Sequence, residues 1–491
     1  IDPGQRTIAI KKTLDSADLH PSSVFAHKLI PPGAKNEALV ALGQAVVANG
    51  FPPDAQPSLA RDLLRRHPPR AIAAPGQPLR RGGEAIGPCA IRLVLELNGT
   101  VLPIQGPPGT GKTSTAAEMI LALVRAGRRV GVTATSHAVI ENLVRRAVDL
   151  GNERGQPLVA ALKCDEDDDS QHPNIRYVSA AKQADELVSQ LQLLGATAWQ
   201  WARSAMRDTV DVLFIDEAGQ MCLADAIAVC GSTRNLVLVG DPQQLEQPIQ
   251  GTHPDGVGVS VLQHMLGDAQ TIAPDRGLLL DQTHRLHPSI CAFTSEQFYE
   301  RQLSPGPDVA TQALSAGPLT RAGLYWRPIA HAGNQNRSRE EATAVAELVA
   351  ACLAPGATWT TASGARLPLT TDDVLIVAPY NAHVAAVREA LAAHSLADVR
   401  VGTVDKFQGQ EAAIAIYTMA TSLPEDAPRG LGFLYDRHRL NVATSRARCA
   451  AVLVCSPALL RPACSTPTHL HLASALARYV ELAQPLDAMP R

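Results

Sequence analysis

Gly106-Pro-Pro-Gly-Thr-Gly-Lys112-Thr113 follows the apolar run Val101–Gln105 and opens a stretch of helical periodicity. This is the pattern G-x-x-x-x-G-K-[ST] in the strand–loop–helix setting that it requires. Gly106, Gly109 and Gly111 let backbone N–H groups converge on phosphate oxygens, and the start of the helix adds the positive end of its dipole. Pro107, Pro108 and Thr110 complete the loop, and Thr115 lies in the first helical turn. Lys112 is expected to reach the β- and γ-phosphates of a nucleoside triphosphate, and the Thr113 hydroxyl to ligate Mg²⁺. A plain Gly-rich turn before a helix is the alternative, and the flanking strand and helix disfavour it.

Val212-Leu-Phe-Ile-Asp216-Glu217 supplies the other half of such a site. Four apolar residues put Asp216 at the carboxyl end of a buried strand, where open α/β sheets bind ligands. Asp216 is expected to hold the magnesium and Glu217 to take a proton from the attacking water. Together the two motifs predict hydrolysis of a nucleoside triphosphate with Mg²⁺, rather than nucleotide binding alone.

Outward from these motifs, short apolar runs alternate with helical stretches. Val101–Gln105, Val130–Thr133, Val212–Asp216 and Leu236–Gly240 form one series; Val374–Ala378, Val399–Thr403, Ala413–Tyr417 and Ala450–Cys455 form a second. Continuous apolar strands alternating with helices predict parallel sheets covered on both faces. Two series predict two α/β domains in a chain of 491 residues, which is too long for one core. The expected division is 1–85 as an N-terminal segment with strands in Ile1–Lys12 and a helix capped by Ser58, then 86–280, then 281–491. The start at Ile1 reads as the cut edge of a longer protein.

Composition sets outer limits. Hydrophobic residues make up 46% and the formal charge is −3, which argues against wholesale disorder and against a generally basic nucleic-acid coat protein. No apolar run approaches the ~18 residues of a membrane span, so a cytoplasmic, non-membrane protein is expected. The nine cysteines include no C-x-x-C pair and read as reduced core residues. The acidic run at 165–169 reads as a solvated loop.

With Asp216-Glu217-Ala218-Gly219-Gln220 the chain, from about residue 100 to 455, resembles superfamily 1 helicases, in particular the branch of the nonsense-mediated-decay helicase and the Okazaki-fragment nuclease–helicase. It also resembles the helicase half of bacterial fusions carrying a RecB-like nuclease upstream. The resemblance implies a P-loop NTPase with two RecA-like domains in tandem, preceded by the end of a small β-barrel arm. Thr133-Ala-Thr135-Ser136-His-Ala-Val-Ile-Glu-Asn142 is similar to a block in which short hydroxyls and amides hold nucleic-acid phosphates. Gly195-Ala-Thr197-Ala-Trp-Gln is either a further strand-contacting loop or an ordinary structural turn.

In Leu238-Val-Gly-Asp241-Pro-Gln-Gln244-Leu245 the resemblance implies that Gln244 faces the γ-phosphate and the attacking water. In Leu280-Asp-Gln-Thr-His284-Arg285-Leu-His287-Pro288 it implies that Arg285 contacts the γ-phosphate and that His284 stacks on the base, with Thr283 replacing the usual Gln. Ala378-Pro-Tyr380-Asn-Ala-His383 implies a nucleic-acid contact at Tyr380, with a tyrosine of the core as the alternative. Thr403-Val-Asp-Lys406-Phe-Gln-Gly409-Gln-Glu411 implies strand contacts at Thr403 and Lys406, close backbone approach at Gly409 and a ribose acceptor at Glu411. Arg439-Leu-Asn-Val-Ala-Thr-Ser-Arg446-Ala implies an arginine finger, Arg446, reaching from the second domain. Cys89 stands near where the family places a Gln that reads adenine.

The implied activity is an ATP-driven helicase and translocase moving 5′→3′ on single strands, DNA favoured over RNA, as a monomer, with DNA repair as the setting. The competing reading is a nucleotide-dependent switch or scaffold that does not translocate. A transporter-type ATPase is set aside because no L-S-G-G-Q stretch occurs.

Overall fold

The computed structural model describes residues 31–53, 56–70, 76–164, 172–246, 256–407 and 409–486, with Asp18 and Ala74 as isolated positions. The strands expected in Ile1–Lys12 and the run 165–169 lie outside the described residues. The chain divides at Gly33 into two compact units, and every feature below belongs to the second, Ala34–Arg491.

Two parallel sheets organise that unit. The first comprises β1 (Val101–Gln105), β2 (Val130–Thr133), β3 (Ala160–Lys163), β4 (Ile175–Val178), β5 (Leu193–Gly195), β6 (Val210–Ile215), β7 (Thr233–Gly240) and β8 (Leu278–Leu279), in the order β4-β3-β5-β2-β6-β7-β1-β8. Side chains alternate between its faces. Val212, Phe214, Val237 and Val239 join one core with the helices Ile86–Leu95, Lys112–Arg125 and His137–Glu153. Leu213, Ile215, Leu236 and Leu238 join the opposite core with Trp201, Val229 and Leu262. Both faces are therefore apolar, which is why these strands read as continuous apolar runs.

The second sheet comprises β9 (Gly323–Pro328), β10 (Val374–Ala378), β11 (Arg400–Thr403), β12 (Ala412–Thr418), β13 (Ala447–Cys455) and β14 (Gln484–Pro485), in the order β11-β10-β12-β13-β9-β14. The same alternation recurs: Leu375 and Val377 face a core with Phe293 and Tyr479, and Val374, Ile376 and Ala378 face one with Val345 and Val387. A small antiparallel sheet of Ala313–Ser315, Thr358–Thr360 and Arg366–Pro368 flanks it.

Over its described part, the 1–85 segment contributes side chains to both cores of the first sheet. Leu59 and Leu63, on the helix Leu59–Leu64, join the core behind that sheet, and Leu79 joins the core in front. At the other limit, the first sheet ends at Leu279, and Leu286 is already a member of the second core. Among the described residues, no helix is long and apolar enough to cross a membrane.

Candidate active site at the seam between the sheets

The phosphate-type loop leaves β1 at its carboxyl end. Gly109 and Gly111 have φ of 73° and 77°, the left-handed region that suits glycine. At Gly106 a β-carbon would lie 2.2 Å from Lys112 Cγ, so only glycine lets the lysine fold back over the loop. The lysine does so, donating from Nζ to Gly106 O at 2.7 Å. The Thr110 hydroxyl donates to Pro107 O at 2.8 Å and fixes the turn from within. Thr113 and Thr115 lie half-buried in the first turn of the helix Lys112–Arg125.

Asp216 follows the last residue of β6 and is only 4% exposed. Burial, and next the Glu217 carboxylate, push its carboxyl up to about 7, against the pull of the Glu217 N–H and the Lys112 ammonium. A buried carboxyl that resists ionisation beside a lysine is a donor suited to a divalent cation, whose charge would stabilise the ionised form. Glu217 has φ of 52°, a costly backbone for a non-glycine residue. The strain is held from both sides. Glu217 N donates to Asp216 Oδ1 at 2.9 Å and Ala218 N donates to Val239 O at 2.8 Å.

The turn after β6 lies directly against the turn after β7. A β-carbon on Gly240 would lie 2.7 Å from Ala218 N, and one on Gly219 would lie 2.6 Å from Asp241 O. The two glycines thus allow backbone-to-backbone contact between the carboxylate turn and the Gly240-Asp241-Pro242 turn.

Residues 283–285 close over the phosphate-type loop. Thr283 Oγ1 donates to Pro108 O at 2.8 Å and His284 N donates to Gly109 O at 2.8 Å. The His284 side chain remains exposed at the mouth. From the same segment, Arg285 reaches the second sheet, pairing with Glu411 and donating from Nη1 to Ser445 O at 3.3 Å. Arg448 binds the other Glu411 oxygen. Burial opposes ionisation of Glu411, but the two guanidinium groups prevail and hold its carboxyl below the usual range.

Deeper in the seam, Arg446 is 1% exposed and donates from Nη2 to Gln244 Oε1 at 3.2 Å. Two further donations, to Val442 O at 3.0 Å and Gln410 O at 3.1 Å, fix its guanidinium. Burial, and next the charge of Arg285, draw it down to about 9, which leaves it a cation at neutral pH. Gln244 Nε2 donates to Asp241 Oδ2 at 2.7 Å, and Tyr299 OH donates to the same oxygen at 2.6 Å. Asn441 Nδ2 donates to Tyr299 OH at 2.9 Å and to Gln243 O at 2.7 Å. Gln244 and Arg446, each expected at the γ-phosphate, thus bond each other in a buried polar network joining the two halves.

Comparison with known proteins adds to this geometry. Residues 258–458 match one AAA domain family model, and residues 89–188 and 160–249 match a second. DNA polymerase alpha-associated DNA helicase A of Schizosaccharomyces pombe is 25% identical over 410 residues, covering 70% of this chain and 59% of that protein. A regulator of nonsense transcripts 1 homolog of Arabidopsis thaliana is 24% identical over 449 residues, covering 81% of this chain and 34% of that one. These matches support the resemblance to superfamily 1 helicases.

RNA helicase Mov10l1 of Mus musculus is a further relative, 26% identical over 426 residues, covering 76% of this chain and 34% of its own. The chain spans less than two thirds of the length of these relatives. Among solved structures, an arterivirus nonstructural protein 10 helicase with DNA is 14% identical, with a TM-score of 0.40, over 73% of this chain and 60% of that one.

The residues expected on the nucleic-acid side lie at or just beyond the carboxyl ends of four strands. Thr135 and Ser136 follow β2 and are exposed, with the Ser136 hydroxyl accepting from Val139 N at 3.3 Å as the cap of the helix His137–Glu153; Asn142 is exposed on that helix. Thr197 follows β5 and caps a short helix, Ala198–Trp201. Tyr380 follows β10 and is buried; Thr403 ends β11; Lys406 is exposed just beyond it. Gly409 has φ of 78°, with open space where a β-carbon would stand. Cys89 is fully buried in the first core, and burial pushes its thiol up to about 11.

Tyr299, Asp241, Asn441 and Arg448 were not among the expected site residues. Asp241 and Asn441 lie within motifs that were read, but Tyr299 belongs to no motif, and only the fold brings its hydroxyl to Asp241.

Proposed function

We propose that this chain is an ATP-dependent nucleic-acid helicase that couples hydrolysis at the seam to stepping along a single strand. The observation that carries the proposal is the contact of Arg446, from the second sheet, with Gln244 at the end of the first. An arginine brought to a triphosphate from a second body is worth ~10³–10⁵ in rate, because it meets charge developing on the transferred group. Hydrolysis then requires the two halves to be closed, and opening after hydrolysis shifts one grip on the strand relative to the other.

Each residue has a stated task in this reading. The N–H groups of 106–111 and Lys112 bind the β- and γ-phosphates, with Arg285 at the γ-phosphate and His284 against the base. Thr113 and Asp216 hold Mg²⁺, which when bound neutralises phosphate charge. Glu217 takes the proton of the attacking water, which Gln244 orients. Glu411, which pairs with Arg285 and Arg448 here, is assigned to the ribose, and it must release Arg285 for that contact. Thr135, Ser136, Asn142, Thr197, Tyr380, Thr403 and Lys406 form the track for the strand. Stepping is assigned 5′→3′, on DNA in preference to RNA, by a cytoplasmic monomer linked to a nuclease domain upstream, with 86–280 and 281–491 as the two motor domains.

The test is ATP turnover with added single-stranded DNA and RNA, together with unwinding of duplexes carrying a 5′ or a 3′ tail. Strand-stimulated turnover and unwinding from the 5′ tail are expected. Slow turnover that neither strand accelerates would refute the motor and leave a nucleotide switch.

A further inference from the structure

Beyond the seam, an open cavity of about 370 Å³ lies at the carboxyl ends of β10 and β11, lined by Tyr380, Thr403, Asp405, Arg429, Phe433 and Arg439 among others. Three of these, Arg429, Phe433 and Arg439, carried no expected role. Arg429 is the N-cap residue of the short helix Gly430–Leu434, so it stands one turn from Phe433; Arg439 comes from the helix Arg437–Thr444. The Arg429 guanidinium carbon lies 3.9 Å from the Phe433 ring centroid, and that of Arg439 lies 4.3 Å from it. The Tyr380 ring leans on the same ring, with centroids 5.5 Å apart at an interplanar angle of 37°.

Two guanidinium groups are thus gathered about one aromatic ring at the edge of a cavity. Cation–π attraction accounts for their position, and it leaves their N–H groups free to donate elsewhere. The one carboxylate in the lining, Asp405, is 3.8 Å from Arg439 and itself 55% exposed, too loose a partner to cancel the charge. Arg429 is exposed. The helix Asn381–Ala393 also starts at this cavity, and its N-cap, Tyr380, supplies no side-chain cap. Positive guanidinium forks, a helix start and the Thr403 hydroxyl converge where strands of an open sheet end, a place suited to an anion.

We infer that Arg429 and Arg439, held by the Phe433 ring, anchor one backbone phosphate of the single strand. The inference rests on the helicase reading above and adds to it the residues that grip the strand on the second sheet. Free phosphate shares the same chemistry, so the test must separate the two sources. Phe433 is a positioning residue here, since it holds the guanidinium groups and leaves the phosphate to them.

The experiment measures binding of fluorescent single-stranded DNA and RNA oligonucleotides to the full chain across a salt series. Arg429→Ala is expected to weaken binding about tenfold and to reduce the salt slope by about 0.7, the value for one phosphate contact on a single strand. Arg429→Lys is expected to keep the slope and recover part of the affinity, because charge remains without the fork. Phe433→Leu is expected to lose about two- to fivefold in affinity with the slope retained. Millimolar inorganic phosphate is expected to leave strand binding unchanged at constant ionic strength.

Wild-type affinity and slope in Arg429→Ala would overturn the anchor and leave the helicase reading standing. Displacement of the strand by inorganic phosphate at constant ionic strength, lost in Arg429→Ala, would overturn it in favour of a small-anion site. Failure of the wild-type chain to bind any single strand would overturn the helicase reading and the anchor with it. Arg429 is exposed, so Arg429→Ala is expected to melt with the wild-type chain, which separates lost binding from lost folding.

Discussion

Tyr299→Phe removes one oxygen atom from the seam and tests whether the buried network serves the chemistry. The Tyr299 ring is fully buried beside Phe293 and Phe298, and Phe keeps that packing with no cavity. What is lost is the donation to Asp241 Oδ2 at 2.6 Å and the acceptance from Asn441 at 2.9 Å. Asp241 keeps Gln244 Nε2 at 2.7 Å and Gln243 N at 3.1 Å, and Asn441 keeps Gln243 O at 2.7 Å, so neither group is stranded. Loss of one charge-assisted bond between partly compensated groups is worth about 1.5–2 kcal/mol. If that energy is expressed where Gln244 and Arg446 meet the reacting phosphate, kcat falls about 10–30-fold. KM for ATP stays within about twofold, since no hydrogen bond of Tyr299 reaches the loop that binds phosphate. Steady-state ATP turnover read beside a thermal melt decides the matter. A lower melting point with kcat unchanged would make the hydroxyl a structural contact only, and a raised KM with kcat retained would assign the network to ground-state binding.

Three further perturbations bear on the same site, and a fourth tests the Glu84–Arg92 ion pair at the helix Ile86–Leu95. Arg446→Ala is expected to lower kcat about a thousandfold or more while a non-hydrolysable ATP analogue still binds; equal loss of both would make Arg446 a ground-state or folding residue. Glu217→Gln is expected to bind ATP and to cleave it at least about a hundredfold more slowly in single turnover, and rapid cleavage would mean that another group takes the proton. Gly240→Ala places a β-carbon 2.7 Å from the backbone nitrogens of Ala218 and Gly219, so it is expected to cost about 1–3 kcal/mol in denaturant melts and to depress hydrolysis; a wild-type melt would show that the two turns separate freely. Glu84→Gln is a pH test. Bonding to Arg92 holds the Glu84 carboxyl down at about 2, so its stabilisation is present above about 4.5 and is lost as pH falls toward 2. The variant should therefore be less stable than wild type at pH 7, with the gap closing near pH 2.

The sequence disclosed those parts of the fold in which chemistry and position coincide. β1, β2 and β10 were legible to the residue because both faces of the strand are apolar and nothing polar interrupts them. The edge strand β4, Ile-Arg-Tyr-Val, went unread because two of its four side chains are not buried. β8 and β14 are two residues each, too short for any periodicity. The phosphate-type loop and Asp216 were legible because backbone geometry there demands particular residues at fixed spacing. Tyr299 was not, since its one signal is a hydroxyl 58 positions away from the carboxylate it meets. Phe433 looked like any aromatic between two motifs until the fold set two guanidinium groups against it.

The seam is held mainly by polar bonds, and this bears on how it can work. Tyr299 to Asp241, Asn441 to Gln243 and Arg446 to Gln244 cross it beside the γ-phosphate residues, Thr283 and His284 bond the phosphate-type loop, Glu300 and Gln302 bond Thr271, and Leu245 from the first half is placed in the second core. The three at Asp241, Gln243 and Gln244 are worth roughly 3–6 kcal/mol net. A ligand can move an equilibrium between closed and open halves only by its differential affinity for the two, typically about 1–3 kcal/mol for coupled sites. A broad apolar interface would exceed what the presence or loss of one phosphoryl group could shift. A ligand of that strength can bias such a seam without undoing all of it, and it meets the seam directly, because Gln244 and Arg446 belong both to the seam and to the set assigned to the γ-phosphate. The groups that would sense the phosphate are themselves the bonds that hold the halves together, so no separate relay between site and seam is needed.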